Sequence, residues 1–383
     1  MTNFTFLAAF LRRLIGTAFA LFVLSVSFHS YSALAEDSIG TATFKEISCP
    51  ATGLANGTCY KVTISGCPES TGDFIAAVKV NVPPNGKKSI GSIFFTTGGG
   101  GSAFYDDFSD FIKGDKRCNQ SGNCGLFAVE AVNSAGYKTI QTNFSDPDSA
   151  TSEPVGWLTG PAADGPRALA CRYATLAHAV WMYVLGSDTT RPVCATGNSG
   201  GSSAVAYGLT QYGLGSSSGP GPVFSMVEAS SGPVMAKINR GCAKEPIEEA
   251  VTCPNGTVLA ENYGLTIAEA FIDPTYDRDV DTTPDSEDIC SLQIEGGGNK
   301  QLFLHDSVVS DDFPSPSYPE TFVKVVFGSE DLSSAVPQGL EWYNAITSSK
   351  AQACVAGASH EIAASYAGAT QIADDLISSC KLQ

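Results

Sequence analysis

Basic residues are scarce in this chain and nowhere form a patch. The sequence carries 22 lysines and arginines against 39 aspartates and glutamates, which gives a formal net charge of −17. Such an acidic surface repels nucleic acid and anionic membranes, so we expect neither as a partner. Long apolar runs are equally rare, because after residue 35 none approaches the roughly 18 residues that a membrane-spanning helix requires.

The one long apolar run lies near the N-terminus. Two arginines precede the apolar residues 14–26, and Ala33-Leu34-Ala35 forms an A-x-A cleavage site. This arrangement is typical of a secretory signal peptide, which we predict over residues 1–35. A retained membrane anchor is disfavoured by the polar residues 25–32, and the surroundings of the arginines fit twin-arginine export poorly. We therefore expect a secreted or periplasmic mature protein without a membrane span.

Paired C-x-x-C motifs are absent, although the chain has 12 cysteines. All of them follow the predicted cleavage site, and an even number of cysteines in an exported chain indicates disulfides. Zinc binding is the competing use, but the histidines do not cluster with the cysteines, so we expect no metal. Local pairing is predicted for Cys118 with Cys124 and for Cys354 with Cys380.

Strand-like and helix-like segments alternate along most of the mature chain. Strands are predicted at 41–47, 59–64, 74–82, 92–97, 137–144, 192–196, 223–229, 321–327 and 353–356. Helices are predicted at 164–185, 202–212, 338–348 and 361–379. The alternation predicts an α/β fold with a mostly parallel central sheet, and the first strands predict an antiparallel edge. Residues 235–320, approximately, break the alternation and are predicted to form an inserted cap over the functional site.

The sequence Gly197-Asn-Ser-Gly-Gly201 joins a predicted strand to a predicted helix. It matches the G-x-S-x-G motif, and it lies where that motif is specific, between a strand and a helix. There a sharp turn exposes the serine hydroxyl above a parallel sheet. Ser199 is therefore the predicted nucleophile. The amide of Gly200, at the helix N-terminus, would face an oxyanion formed at Ser199.

Histidine is rare, and after residue 35 only His178, His305 and His360 remain. In this type of fold the catalytic partners follow in the order serine, acid, histidine. His360 lies in the last loop of the alternating pattern and is the predicted base, with His305 in reserve. The motif letters also occur in trypsin-like proteases, but His178 lies too close to Ser199 in sequence to occupy a different β-barrel.

The acid should follow a strand that comes after the nucleophile strand. Asp331 lies three residues after Gly328 at the end of such a strand and is the predicted acid. Glu228, at the end of the preceding strand, is the second choice. The acid would hold the imidazole of His360 in the tautomer that accepts a proton.

Four consecutive glycines, residues 98–101, end another predicted strand. Bare backbone N–H groups can approach a substrate there, so we expect oxyanion donors from Gly100 or Gly101, together with Gly200. A phosphate cradle is the alternative use of four glycines, but no G-x-x-x-x-G-K-[ST] follows them.

The segments 98–101, 197–201, 328–331 and 357–360 together resemble the α/β-hydrolase superfamily in order and spacing. The resemblance covers most of residues 90–380, apart from the insertion. It implies a serine nucleophile, an acyl-enzyme and hydrolysis by water, with no cofactor. Thr97 stands where the HGGG-type loop has histidine, and this departure leaves the substrate class open.

The resulting hypothesis is a secreted serine hydrolase that cleaves carboxylic esters, small or polymeric, through an acyl-enzyme on Ser199. Phe104, Tyr105 and Trp157 would line an apolar pocket, with ordinary packing as the alternative for all three. A peptidase or amidase of the same fold is the first alternative function. A catalytically silent binding protein of that fold is the second.

Overall fold

In the computed structural model the described residues are 37–67, 73–149, 156–158, 165–243, 252–253, 256, 258–259, 265–276, 289–290, 300–310 and 313–382. The predicted signal peptide therefore lies outside the described residues. Within these ranges, none of the helices has the length and apolar character needed to cross a membrane.

A nine-stranded sheet in the order β1-β2-β3-β5-β4-β6-β7-β8-β9 forms the centre of the fold. In chain order its strands are Thr41–Ile47, Thr58–Ser65, Phe74–Asn81, Gly91–Thr96, Tyr137–Asn143, Val193–Asn198, Phe224–Ser230, Phe322–Gly328 and Lys350–Val355. The first three strands pair antiparallel, and β3 pairs antiparallel with β5. All pairs from β5 to β9 are parallel, which confirms the predicted class with its antiparallel N-terminal edge.

Helices cover both faces of the sheet. They are α1 (Cys124–Ala135), α2 (Pro166–Leu169), α3 (Cys171–Tyr183), α4 (Gly200–Thr210), α5 (Ile238–Ala243), α6 (Leu265–Tyr276), α7 (Lys300–Asp306), α8 (Ala335–Ala345) and α9 (Tyr366–Ser379). Successive side chains of a strand point to opposite faces. Phe94 of β4 accordingly belongs to one buried cluster, and its neighbours Ile93 and Phe95 belong to the other.

Two helical regions differ from the sequence-based expectation. Helix α1 was not predicted, although its ends carry clear signals: Asn123 caps it by accepting from the Leu126 N–H at 2.8 Å, and Gly136 ends it with φ of 112°. The final helix begins at Tyr366 rather than at residue 361. Ile362–Ala364 form a short 3-10 turn, and the Ser365 side chain then caps the helix.

Five disulfides are formed among the described residues. They join Cys49 to Cys59, Cys67 to Cys171, Cys118 to Cys124, Cys194 to Cys380 and Cys242 to Cys290. The predicted Cys118–Cys124 pair is confirmed. The predicted Cys354–Cys380 pair is wrong, because Cys380 at the end of α9 reaches back to the central strand β6. Five disulfides fit a protein of an oxidising, extracellular environment.

The insertion between β7 and β8 contains α5, α6 and α7. Its last helix is tied to α4, because the Tyr207 hydroxyl donates to the Asp306 carbonyl at 2.8 Å. Tyr276 of α6 donates to the Asp306 carboxylate, also at 2.8 Å. An ion pair between Arg240 and Glu341 joins the insertion to α8. The insertion thus packs on the helix that follows Ser199, and its role as a cap stays a prediction.

Candidate active site

Ser199 lies at the turn between β6 and α4. Its backbone has φ of 53° and ψ of −118°, a conformation that residues other than glycine rarely adopt. The Ser199 N–H donates to the Ser230 carbonyl at 2.9 Å, which anchors the turn to the neighbouring strand. Only 2% of the residue is exposed, and within the described part of the chain its Oγ has no hydrogen-bond partner. A buried hydroxyl with no partner is costly, so its position calls for a functional reason.

Small residues make this turn possible. A Cβ placed on Gly197 would collide with the backbone of Gly201, and a Cβ on Gly201 would collide with the Thr97 carbonyl. The strand, the turn and the helix therefore approach more closely than any larger residue at these two positions allows. The two glycines of G-x-S-x-G therefore permit the sharp strand–turn–helix that the motif predicts.

Asp331 and His360 are brought together by two neighbouring loops. Asp331 follows β8, and His360 follows β9, the strand beside it. The His360 Nδ1 lies 3.1 Å from the Asp331 Oδ2. Asp331 is 2% exposed, whereas the His360 side chain keeps 22% exposure, so one edge of the imidazole remains accessible.

Ser333 also belongs to this cluster, and sequence reasoning missed it. Its N–H donates to the Asp331 Oδ1 at 2.9 Å, and its Oγ lies 3.0 Å from the His360 Nδ1. The Ser333 hydroxyl also hydrogen-bonds with the Asp331 carboxylate. The available signal was the spacing Asp-x-Ser, because an aspartate often binds the backbone N–H two residues later.

The electrostatics of the pair favour an ionised Asp331. Burial alone would raise the pKa of Asp331, but the hydrogen bond and charge of His360, with the two hydrogen bonds from Ser333, lower it below its ordinary value. Burial would likewise lower the pKa of His360. The hydrogen bond and negative charge of Asp331, aided by Glu361, outweigh burial and raise it above 6.5.

Ser199 and His360 lie at the same edge of the sheet, because both follow the carboxyl ends of parallel strands. They do not form a hydrogen bond in this structure, since the Ser199 Oγ has no partner among the described residues. The structure therefore pairs the predicted acid with the predicted base. It leaves the predicted nucleophile unpaired on the same edge.

In the glycine loop after β4, one of the two amides that were expected to bind an oxyanion is already hydrogen-bonded within the loop. The Gly101 N–H donates to the Gly98 carbonyl at 3.0 Å, so the turn already uses the amide that was expected to bind an oxyanion. The Gly100 carbonyl accepts from the Trp157 N–H at 2.8 Å, and this bond fixes the loop. Gly99 has φ of 56°, and a Cβ built on it meets nothing within 4 Å. The Gly99 carbonyl oxygen, however, lies against Gly200, where it would meet a Cβ, and of the two expected amides Gly100 is the one that this turn does not use.

The reserve candidates take part in other interactions. The His178 Nδ1 lies 3.0 Å from the Gly221 carbonyl oxygen, which fits its interpretation as an ordinary helical histidine. His305 lies in the insertion with 59% of its side chain exposed, and it pairs with the adjacent Asp306 at 2.8 Å. Glu228 is buried within the sheet, 3.4 Å from the Thr196 hydroxyl, and contacts Asp375.

The aromatic residues expected to line a pocket are mostly core residues. Tyr105 is fully buried, with its ring centroid 4.7 Å from that of Phe111. Trp157 is also fully buried and packs edge-to-face on Tyr207. For these two the pocket hypothesis is corrected to core packing. Phe104 is 5% exposed and lines a cavity of about 420 Å³ beside the glycine loop, without Ser199 in its wall.

One group of potential metal ligands is close enough to hold an ion among the residues that the structure describes. It consists of Asp115, Cys118 and Cys124. The two cysteines of this group are bonded to each other, so their sulfurs are not available as thiolate ligands. We therefore propose no metal site at this group.

The strand order and the serine turn together define the class of protein. A mostly parallel sheet carries a strand–turn–helix with a strained serine, and an acid and a histidine follow on later loops in that order. The chain has the α/β-hydrolase fold, with antiparallel N-terminal strands.

Comparison with known proteins finds similar solved structures. No protein-family model matches the chain. No curated protein sequence matches it either. Similar solved structures include an acetyl xylan esterase from a Thermoanaerobacterium species, 14% identical over 85% of this chain and 84% of that chain, with a TM-score of 0.43.

Two further similar structures are more distant in sequence. A dienelactone hydrolase from Anabaena variabilis is 10% identical over 90% of this chain and 100% of that chain, with a TM-score of 0.40. An acylaminoacyl peptidase from Pyrococcus horikoshii is 9% identical over 90% of this chain and 42% of that chain, with a TM-score of 0.47. The fold assignment rests on the strand order and the serine turn of this chain, and the activities in these names belong to those proteins.

Proposed function

We propose that the protein is an exported serine hydrolase that cleaves carboxylic esters. Ser199 attacks the ester carbonyl while His360 takes the serine proton. His360 then gives this proton to the leaving oxygen, and the alcohol departs to leave an acyl-enzyme. Water then attacks the acyl group with His360 again as base, which releases the acid and restores the serine. Asp331 keeps the proton of the neutral imidazole on Nδ1, so that Nε2 is free to accept.

The observation that carries this proposal is the backbone of Ser199. A non-glycine residue with φ of 53° stores strain, and its buried hydroxyl forgoes a hydrogen bond. Both costs are understandable if the hydroxyl is held ready for a substrate carbonyl and for His360. Hydrogen bonds between catalytic groups are often long in the free enzyme and shorten when substrate is bound. His360 would reach Ser199 from the loop after β9, three strands along the sheet from β6.

We propose that the oxyanion is bound by the amides of Gly200 and Gly100. Gly200 is the first residue of α4, where the helix dipole and an N–H without an intrahelical partner favour a negative charge. Gly100 belongs to the loop that is fixed by Trp157. Gly101 is not included, because its amide closes the turn on Gly98.

Hydrolysis of p-nitrophenyl esters of graded acyl length, by the exported protein, tests the proposal. Wild-type protein should release p-nitrophenol, and Ser199→Ala should lower kcat by about 10⁴- to 10⁶-fold. Ser187→Ala is a matched control, because Ser187 also has a positive φ, of 54°, but lies in the turn before β6, whereas Ser199 follows the carboxyl end of that strand. If Ser199→Ala hydrolyses the esters as fast as the Ser187→Ala control, the proposed mechanism is ruled out.

A peptidase or amidase is the alternative reaction of the same groups. It requires His360 to protonate a leaving amine, which is a more demanding step than release of an alkoxide. Parallel assays on p-nitrophenyl esters and on aminoacyl anilides separate the two functions. Preferential turnover of the anilides would assign the protein to the peptidases. A protein that turns over neither substrate class and does not react at Ser199 would be a binding protein.

A further inference from the structure

Two of the twelve cysteines remain outside the five disulfides. They are Cys253, in the insertion, and Cys354, in β9. An exported chain with a complete set of disulfides seldom retains buried thiols, because an oxidising compartment pairs cysteines that can meet. The position of these two cysteines is therefore informative.

The two thiols face each other. The side chains of Cys253 and Cys354 interact although the residues are remote in sequence, and this interaction helps to raise the pKa of Cys354. Cys253 is 3% exposed and belongs to the larger buried cluster, and Cys354 packs against that same cluster. A buried thiol beside a half-buried one is an arrangement from which a disulfide can form with little movement.

The surroundings argue against two other uses of the pair. Metal binding would require further ligands, and among the described residues the one potential ligand group does not include either cysteine. A nucleophilic thiolate is also disfavoured. Burial, together with the hydrogen bond and charge of the neighbouring Cys253 thiol, raises the pKa of Cys354 to about 12.

We propose that Cys253 and Cys354 form a sixth disulfide in the exported protein. The step is thiol–disulfide exchange with a disulfide-bearing oxidant of the export compartment, either an oxidoreductase or a small disulfide. One cysteine attacks the oxidant to form a mixed disulfide, and the other displaces it. The Sγ–Sγ bond forms, and the two electrons and two protons leave with the reduced oxidant, as the dithiol of an oxidoreductase or as two small thiols.

This bond would fasten the insertion to the edge of the sheet. Strand β9 is the last strand of the sheet and has one neighbour, β8. Next to Cys253 in the insertion, an isolated antiparallel bridge joins Thr252 to Val258. A covalent link there would protect an edge strand and restrict the unfolded chain between two cysteines that are remote in sequence. It is independent of the hydrolase chemistry, since neither cysteine is assigned a catalytic part.

Alkylation of the exported protein tests the proposal directly. The protein is unfolded in denaturant without reductant, treated with iodoacetamide, and analysed by peptide mass spectrometry. We expect no alkylated cysteine in the wild type and a cross-linked peptide pair containing Cys253 and Cys354. Alkylation of both residues with the other five disulfides intact would overturn the proposal, and so would a cross-link from either residue to another cysteine.

Matched variants supply a second readout. Cys253→Ala and Cys354→Ala should each expose one alkylatable thiol, at the former partner, and the double variant should expose none. All three should lower the Tm by a similar amount, roughly 5 to 10 °C. If the wild type already carries two free thiols, each single variant will lose one instead, which contradicts the proposal. The mapping of the wild type decides the question even where a variant does not fold.

Discussion

The His360 Nδ1 lies 3.1 Å from the Asp331 Oδ2, and the two residues come from loops at the ends of adjacent parallel strands. Hydrogen bonding and charge from Asp331 raise the pKa of His360 above 6.5 despite its burial. A base works only when it is neutral. We therefore expect kcat/KM for ester hydrolysis to fall as the pH drops through a value above 6.5.

The Asp331→Asn variant checks the cause of that pH dependence. The amide removes the negative charge while it keeps the shape, so burial is left to lower the pKa of His360. The acid limb of the pH profile should move to lower pH, and kcat should fall by about 10³- to 10⁴-fold. An unchanged acid limb in the variant would mean that another group sets the profile.

Ser333 is expected to act as a positioning residue. It donates through its N–H and hydroxyl to Asp331, and its Oγ lies beside the His360 Nδ1. Ser333→Ala should lower kcat by about 10- to 100-fold, because a hydrogen bond to a charged group is lost, and should leave KM unchanged. Ser333→Thr keeps the hydroxyl and should retain most of the activity. A rise in KM with constant kcat would instead place Ser333 in substrate binding.

The buried ion pair of Lys79 and Asp106 is expected to dominate the stability of the segment that follows the glycine loop. The Lys79 Nζ lies 2.8 Å from the Asp106 Oδ2, with both side chains buried. Lys79→Met leaves a buried carboxylate uncompensated and should lower the free energy of unfolding by about 3 to 5 kcal/mol.

Denaturant titration measures this change, and two further variants interpret it. Lys79→Met combined with Asp106→Asn should recover part of the loss, since the amide carries no charge. Lys113→Met is the exposed control, because Lys113 lies 3.9 Å from Asp110 with both side chains about half exposed. A loss of the same size in the control would show that the effect does not arise from burial of the charge.

Glu228 is expected to make the protein less stable as the pH rises. Burial, reinforced by the neighbouring Asp375 and opposed by Lys324 and Thr196, raises its pKa well above 4.5. A carboxyl whose pKa is higher in the folded state does not reduce the free energy of unfolding when the pH is below 4.5, its pKa in the unfolded chain. It destabilises the fold progressively as the pH rises through the folded value.

Glu228→Gln should therefore stabilise the protein at neutral pH and lose this advantage below pH 4.5. Thermal unfolding of variant and wild type across pH measures the difference. Glu46→Gln is the exposed control, and it should change the Tm little at any pH. A stabilisation of Glu228→Gln that does not vary with pH would point to packing rather than to ionisation.

Local sequence signals predicted the elements around the site. Strand β1 falls where it was expected, and the G-x-S-x-G glycines permit the turn that holds Ser199. The order of Asp331 and His360 after Ser199 could be predicted because parallel strands bring successive loops to one edge. The acid and the base are in contact as that logic requires.

Long-range pairing could not be predicted in the same way. Cys380 is near Cys354 in sequence, but it bonds to Cys194 because α9 returns along the sheet to the central strand β6. Similarly, Tyr105 and Trp157 follow strands and resemble pocket residues in sequence. Only the packing of the loops shows that their rings fill the core.

Fluorophosphonate labelling tests the central claim most directly, because the reagent reacts preferentially with a serine that a neighbouring base activates. The exported wild-type protein should become covalently labelled, with the label located at Ser199 by peptide mass spectrometry. Labelling should be lost in Ser199→Ala, strongly slowed in His360→Ala, and retained in the Ser187→Ala control. Label on another residue, or labelling that persists in Ser199→Ala, would contradict the account.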